Sequence, residues 1–186
     1  MRKFLVWMAL AAAPAWAAGE FSNRRAPGFS LPDLKLKLHD LADYRGKVVL
    51  LEIMQTTCPH CGKFVAVLEE ISQKYAGRVQ VLSIVNYPPE NDVSVAKFVK
   101  EHGLSHPVLF DCGQVARSYT LATPQKSLIE IPHVFVIDQQ GVIRNDFVYG
   151  LLTRGPIFEG RGLFDEVEKL LGAGETRGAT KSSPKK

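Results

Sequence analysis

Apolar positions along the chain fall into two periodicities. Residues 48–54 form a continuous apolar run broken only by Glu52, the pattern of a central strand covered on both faces. Residues 79–85, 108–110 and 134–137 read as further strands, and 142–148 as the second arm of a hairpin entered through a turn at 138–141. Leu34, Leu36 and Leu38 alternate with Lys35 and Lys37, which predicts one more half-buried strand. Helical spacing runs over 62–75, where Phe64, Val65, Val67, Leu68 and Ile71 recur on one side. It recurs over 93–102, 114–119 and 162–171, the last with Leu163, Phe164, Val167, Leu170 and Leu171 turned to the core. Strand and helix alternate until a strand hairpin and a final helix close the chain. That order predicts an α/β fold with a central mixed β-sheet flanked by helices.

Composition changes little in this picture. A chain of 186 residues that is 46% hydrophobic and 23% charged fits one domain with a core that needs no disulfide staples. The net charge of +4 is modest, and much of it sits at the ends, on Arg2, Lys3, Arg177, Lys181, Lys185 and Lys186. Such termini read as solvated tails rather than a nucleic-acid footprint. At the start, Arg2-Lys3, an apolar segment over 4–13, Pro14 and Ala15-Trp16-Ala17 have the order of an export signal, cleaved after Ala17 or Ala18. The apolar segment is short for a bilayer, so no stable membrane insertion is expected after cleavage, and the mature protein is expected in a periplasm or secreted. The expected layout is a signal peptide at 1–18, an extended lead-in at 19–30, the folded domain at 31–172 and a disordered basic tail at 173–186.

The chemistry gathers at Cys58-Pro59-His60-Cys61, between the run ending at Met54 and the helix that follows. A cysteine at a helix start lies near unpaired backbone N–H groups and the positive end of the macrodipole, which favours its thiolate. Pro59 suits the first turn because its missing N–H has no partner there, and His60 sets a potential cation between the sulfurs. A structural zinc site would want four ligands, commonly two such cysteine pairs, and the chain has no second pair. A static bond across two residues would add little stability, because the loop it closes is so short. Cys112 is the odd one of three cysteines. It is open to three readings, a buried free thiol, a dimer-forming cysteine or a third redox participant, and the inert buried thiol is preferred. His102 and His106 read as loop residues, since Gly103 and Pro107 interrupt the helix; His39 sits near a strand end and His133 follows a proline, where it could face the site. None is given a metal role, and no cofactor is expected.

Three groups of residues carry a resemblance to a known family: Ala26-Pro27-Gly28-Phe29 with 41–49, Cys58-Pro59-His60-Cys61, and Ile131-Pro132 before Val134-Phe135-Val136-Ile137-Asp138. Over 26–171 the chain resembles the exported, TlpA/ResA-like branch of the thioredoxin family of thiol-disulfide oxidoreductases. The dipeptide between the cysteines and Glu52, six positions before Cys58, instead resemble the periplasmic disulfide oxidase DsbA. The resemblance implies a thioredoxin-like fold and a reversible Cys58–Cys61 disulfide. Cys58 would be the exposed nucleophile and Cys61 the buried thiol that resolves the mixed disulfide. Glu52, an acid on an otherwise apolar strand, would accept the Cys61 proton, burial lifting its pKa toward the working range. Pro132 would be cis, with the Ile131 backbone pairing to the bound substrate strand and Pro59 and His60 completing the contact surface. Implied partners are exported proteins with thiols or disulfides and an upstream redox protein.

There are departures from the family pattern. Thr57 stands where Trp is usual, and residues 123–129 look like an insertion beside the proline. A copper-handling protein of the same fold is the alternative, with thiolates holding Cu(I), although such proteins usually separate the cysteines by three residues. A peroxidase pattern, Pro-x-x-x-Thr-x-x-Cys, is not met, because positions 51 and 55 are Leu and Gln. As for direction, His60 favours an oxidant, while the stretch between Cys61 and Pro132 is too short for the helical domain of DsbA. A reductant or general exchanger is expected.

Overall fold

The computed structural model describes residues 19–179. In chain order the elements are β1 (Arg24–Arg25), β2 (Ser30–Pro32), β3 (Leu38–Asp40), a 3-10 turn (Leu41–Tyr44), β4 (Val48–Met54), α1 (Pro59–Lys74) and β5 (Val79–Asn86). There follow α2 (Asp92–His102), β6 (Val108–Asp111), α3 (Gln114–Thr120), β7 (His133–Ile137), β8 (Val142–Val148), a wide helical turn (Arg154–Phe158) and α4 (Gly162–Ala179). The expected export signal at 1–18 and residues 180–186 lie outside the described residues. Helix α4 continues past 171, where the apolar periodicity had ended it.

Every residue of β4 is buried because the strand is central on both counts: it has a strand on each side and a layer on each face. The six-stranded sheet runs β1-β8-β7-β4-β5-β6, with β4, β5 and β6 parallel and β7, β8 and β1 antiparallel. Side chains alternate across it. Val48 and Leu50 turn to Phe64, Leu68 and Ile71 of α1 and Leu163, Phe164 and Val167 of α4. Met54, at the same parity, meets Cys61 and Val65 of α1 and Val95 and Phe98 of α2. Val49, Leu51 and Ile53 turn the other way, to α3 and to Phe21, Ala26 and Phe29 of the N-terminal segment. This is the mixed sheet flanked by helices that the sequence pattern predicts.

One predicted strand is corrected. The alternation at 34–38 does not run on as one strand: β2 and β3 form a short two-stranded hairpin, Leu34 and Leu36 lie in its turn, and of the three leucines only Leu38 pairs, opposite Pro32. Asp33 Oδ1 accepts the backbone N–H groups of Lys35 (2.7 Å) and Lys37 (3.0 Å), a local alternative to ladder bonding. Leu36 takes φ +58° and is 83% exposed.

Candidate functional site

The C-terminal end of β4 hands the chain through Gln55–Thr57 directly into α1, so the cysteine pair sits where a buried strand gives way to a helix start. Cys58 is the N-cap: its backbone is extended (φ −82°, ψ 115°), and its Sγ accepts the backbone N–H of Cys61 at 3.2 Å. Pro59 fills the first helical position. Cys58 is half-buried and Cys61 fully buried, so the two sulfurs are unequal in access. His60 is exposed, with its ring stacked on Tyr149 at 4.2 Å between centroids. The Tyr149 backbone N–H donates to the Pro132 carbonyl (3.0 Å), and the Ile131–Pro132 bond is cis. Ile131 packs against the same apolar cluster as Cys58 and Cys61. All seven site residues expected from the sequence therefore belong to one neighbourhood, six around the helix mouth and Glu52 beneath it.

Glu52 shares the α1 face of β4 with Leu50 and Met54 and is completely buried. Its Oε2 is 2.7 Å from the Ser83 hydroxyl, while Oε1 finds no partner among the described residues. Burial pushes its pKa up to about 8, outweighing the Ser83 bond that pulls the other way. The Cys61 thiol is pushed far above its usual range, first by burial and then by the Glu52 carboxylate and its neighbour Cys58.

Several residues near the site carried no signal in the sequence. Glu90 is buried and braces the turn before Cys58, accepting from the Thr56 backbone N–H and hydroxyl, both at 2.7 Å. Ser83 reaches Glu52 because β5 lies in register with β4, and a serine on a strand announces no partner by itself. Two histidine assignments need correcting. His102 ends α2 against Phe98, since Gly103 at φ +63° terminates the helix after it rather than before it. His106 is indeed in a loop but is buried, bonded to Glu69 and Ser83. His133 does not face the cysteines: β7 turns it to the opposite side of the sheet, against Phe21 and Asp146. Cys112 is exposed, not buried, because it precedes the left-handed Gly113 at the tip of the β6–α3 connection. It lines a groove of about 580 Å³ with Gln55, Asn86, Leu128 and Ile131, which sets residues 127–129 beside the cis-proline. Among the described residues no three His, Cys, Asp or Glu side chains are arranged to hold a metal ion.

A mixed sheet with a Cys-x-x-Cys pair capping the helix after its central strand, opposite a cis-proline, defines the thioredoxin-like class of thiol-disulfide oxidoreductases. Residues 23–146 match the AhpC/TSA family, and the chain belongs to that family. It is 32% identical over 134 residues to thiol-disulfide oxidoreductase ResA of Geobacillus kaustophilus, covering 71% of each chain. It is 31% identical over 123 residues to ResA of Bacillus thuringiensis subsp. konkukian, covering 65% of this chain and 66% of that one. The chain thus spans about two thirds of the length of these relatives. Its fold superposes on a thiol:disulfide interchange protein of the thioredoxin family from Chlorobium tepidum with a TM-score of 0.65, at 21% identity, over 80% of this chain and 96% of that one.

Proposed function

We propose that this protein exchanges disulfides with exported protein partners, through a Cys58–Cys61 pair that cycles between dithiol and disulfide. The observation that carries the reading is the capped helix start: the Cys58 sulfur, half-exposed, receives a backbone N–H, while Cys61 is sealed behind it over a buried carboxyl. In the reducing direction the Cys58 thiolate attacks a partner disulfide. A mixed disulfide forms and one partner sulfur leaves as thiolate. Cys61 then gives its proton to Glu52 and attacks Cys58 Sγ, so that the intramolecular bond forms and the second partner sulfur departs with the electron pair. Glu52 suits the acceptor role because a group with pKa about 8 both takes and releases a proton near neutral pH.

Partner chains would lie across Pro59, His60 and the Ile131 backbone, with specificity drawn from the groove beside the cis-proline. An upstream redox protein would restore the dithiol. The expected export signal and the relatives named ResA favour work outside the cytoplasm, as a reductant or general exchanger. Only the remainder of α1, then β5, α2, β6 and α3 with their connections, separate the cysteines from Pro132, with no room for an added helical domain.

The test is to offer a disulfide-bonded peptide to the reduced variants Cys61→Ser and Cys58→Ser. Cys61→Ser is expected to accumulate a peptide linked at Cys58, and Cys58→Ser to accumulate none. Linkage through Cys61 instead, or through neither, would overturn the assignment. A reduction potential near the strongly oxidising end, about −120 mV, would reverse the direction and leave the two sulfur roles intact.

A further inference from the structure

Glu52 does not end in apolar packing. The pairing of β4 with β5 sets it directly opposite Ser83, whose hydroxyl lies 2.7 Å from Glu52 Oε2 and 3.0 Å from His106 Nε2. The other ring nitrogen, Nδ1, is 2.5 Å from Glu69 Oε1. Glu69 stands on α1 about two turns after Cys61, and it also accepts the Ser105 and His106 backbone N–H groups (2.9 and 3.2 Å) and the Ser105 hydroxyl (2.6 Å). The Glu69 side chain keeps 11% of its surface in solvent, whereas Glu52 is fully enclosed. A clasp between loop and helix needs only Glu69, Ser105 and His106. The Ser83 bridge adds nothing to that clasp, yet it joins the clasp without a gap to the one carboxyl beneath Cys61.

We propose that Ser83, His106 and Glu69 form a relay that moves a proton between Glu52 and solvent as the Cys58–Cys61 pair changes oxidation state. The proposal rests on the reading of Glu52 as proton acceptor, and these three residues act through it. At rest the Glu52 carboxyl O–H donates to Ser83, the Ser83 O–H to Nε2, and Nδ1–H to the Glu69 carboxylate; every group in the line is satisfied once. One concerted shift carries the Glu52 proton to Ser83 and the Ser83 proton to Nε2. Glu52 becomes a carboxylate, Ser83 is unchanged, and an imidazolium faces Glu69. Glu52 is then free to take the Cys61 proton while the Cys61 sulfur closes on Cys58, and the imidazolium passes its Nδ1 proton outward along Glu69. Reduction of the disulfide runs the line inward and returns one proton to Cys61.

The electrostatics support this polarity. Burial holds the inner carboxyl near 8, whereas at the outer one the bonds from His106 and Ser105 outweigh burial and hold it near 2. A proton therefore rests at the inner end, and the exit stays ionised.

The experiment follows the reduced protein, carrying Cys112→Ser so that the exposed third thiol releases no chromophore of its own, mixing with a chromogenic aryl disulfide, which releases one chromophore when Cys58 attacks and a second when Cys61 resolves the adduct. Ser83→Ala and His106→Gln are each expected to slow the second release by on the order of tenfold while leaving the first unchanged, and Ser83→Thr, which keeps the hydroxyl, to restore it. The first release doubles as the check that each variant is folded at the site. An unchanged second release in both variants, parallel slowing of the two releases, or a Ser83→Thr as slow as Ser83→Ala would overturn the relay. Glu52→Gln separates the layers. If it slows the second release and Ser83→Ala does not, the acceptor stands and the relay falls; if it leaves the second release unchanged, both fall.

Discussion

Two buried imidazoles, one on each face of the sheet, look alike and differ in what lies behind them. His106 pairs with Glu69 through Nδ1 and His133 with Asp146 through Nε2 at 3.1 Å. Behind His106 come Ser83 and Glu52, whose charge acts on the buried Cys61. Behind His133 come Phe135, stacked at 4.3 Å, and Phe21, while Asp146 also accepts the Phe21 backbone N–H and the Ser22 hydroxyl, both at 2.9 Å. The second pair is a staple that holds the N-terminal segment on β8. A histidine–carboxylate contact thus has no function of its own; the remaining nitrogen and oxygens decide whether it conducts or clamps.

The comparison breaks most visibly with pH, and Glu52 carries the largest effect. Its pKa rises from 4.5 to about 8 on folding, so the folded state holds the proton more tightly than the unfolded one. The stability this confers is complete below the unfolded value and is lost as pH rises through about 8, a swing on the order of 5 kcal/mol. Denaturation of the dithiol form across that window is expected to show the fall, and Glu52→Gln to flatten it, leaving the variant more stable than its parent in mild alkali. Equal slopes would mean that some other group titrates. On the opposite face the sign reverses. Although burial pushes the Asp146 carboxyl up, its bonds from His133, Ser22 and Phe21 hold it below the usual range. That contribution is present above the ordinary carboxylate value and is lost as pH falls through the depressed one.

Next in size is the staple itself. Asp146→Ala strands the Phe21 N–H and the Ser22 hydroxyl and removes the partner of a buried histidine, which should cost about 3 kcal/mol in a urea denaturation. Both chromophore releases from the folded variant should match the parent, because the damage lies across the sheet from the cysteines. A slowed second release would erase the distinction between the two pairs.

Much of this was legible beforehand, and the reason is periodicity. The run at 48–54 and the spacing of Phe64, Leu68 and Ile71 report burial directly, so β4, α1 and the cysteine cap between them follow from pattern alone. Glu52 was visible as the one charge in an apolar strand. Leu34 and Leu36 misled because a single carboxylate, Asp33, gathers the Lys35 and Lys37 backbone N–H groups that a strand would have offered to a neighbour, and the ladder begins only at Leu38. Ser83, His106 and Glu69 come from β5, a loop and α1; their meeting depends on strand register and helix docking, which no local window contains. The same holds for Glu90 under Thr56.

The smallest effect belongs to Cys112, which tests the lesson from outside both networks. A thiol at an exposed loop tip has little packing to lose, so Cys112→Ser should change stability by no more than about 0.5 kcal/mol, within the range of surface substitutions. Limited alkylation of the reduced protein followed by peptide mass mapping should find label on Cys112 and Cys58 and none on Cys61, which has no exposed surface. If Cys112 resisted the reagent while Cys61 reacted, access would be the inverse of that geometry. The inequality between the Cys58 and Cys61 sulfurs, on which the proposed exchange and the proposed proton path both depend, would then have to be sought in a different arrangement of α1 on the sheet.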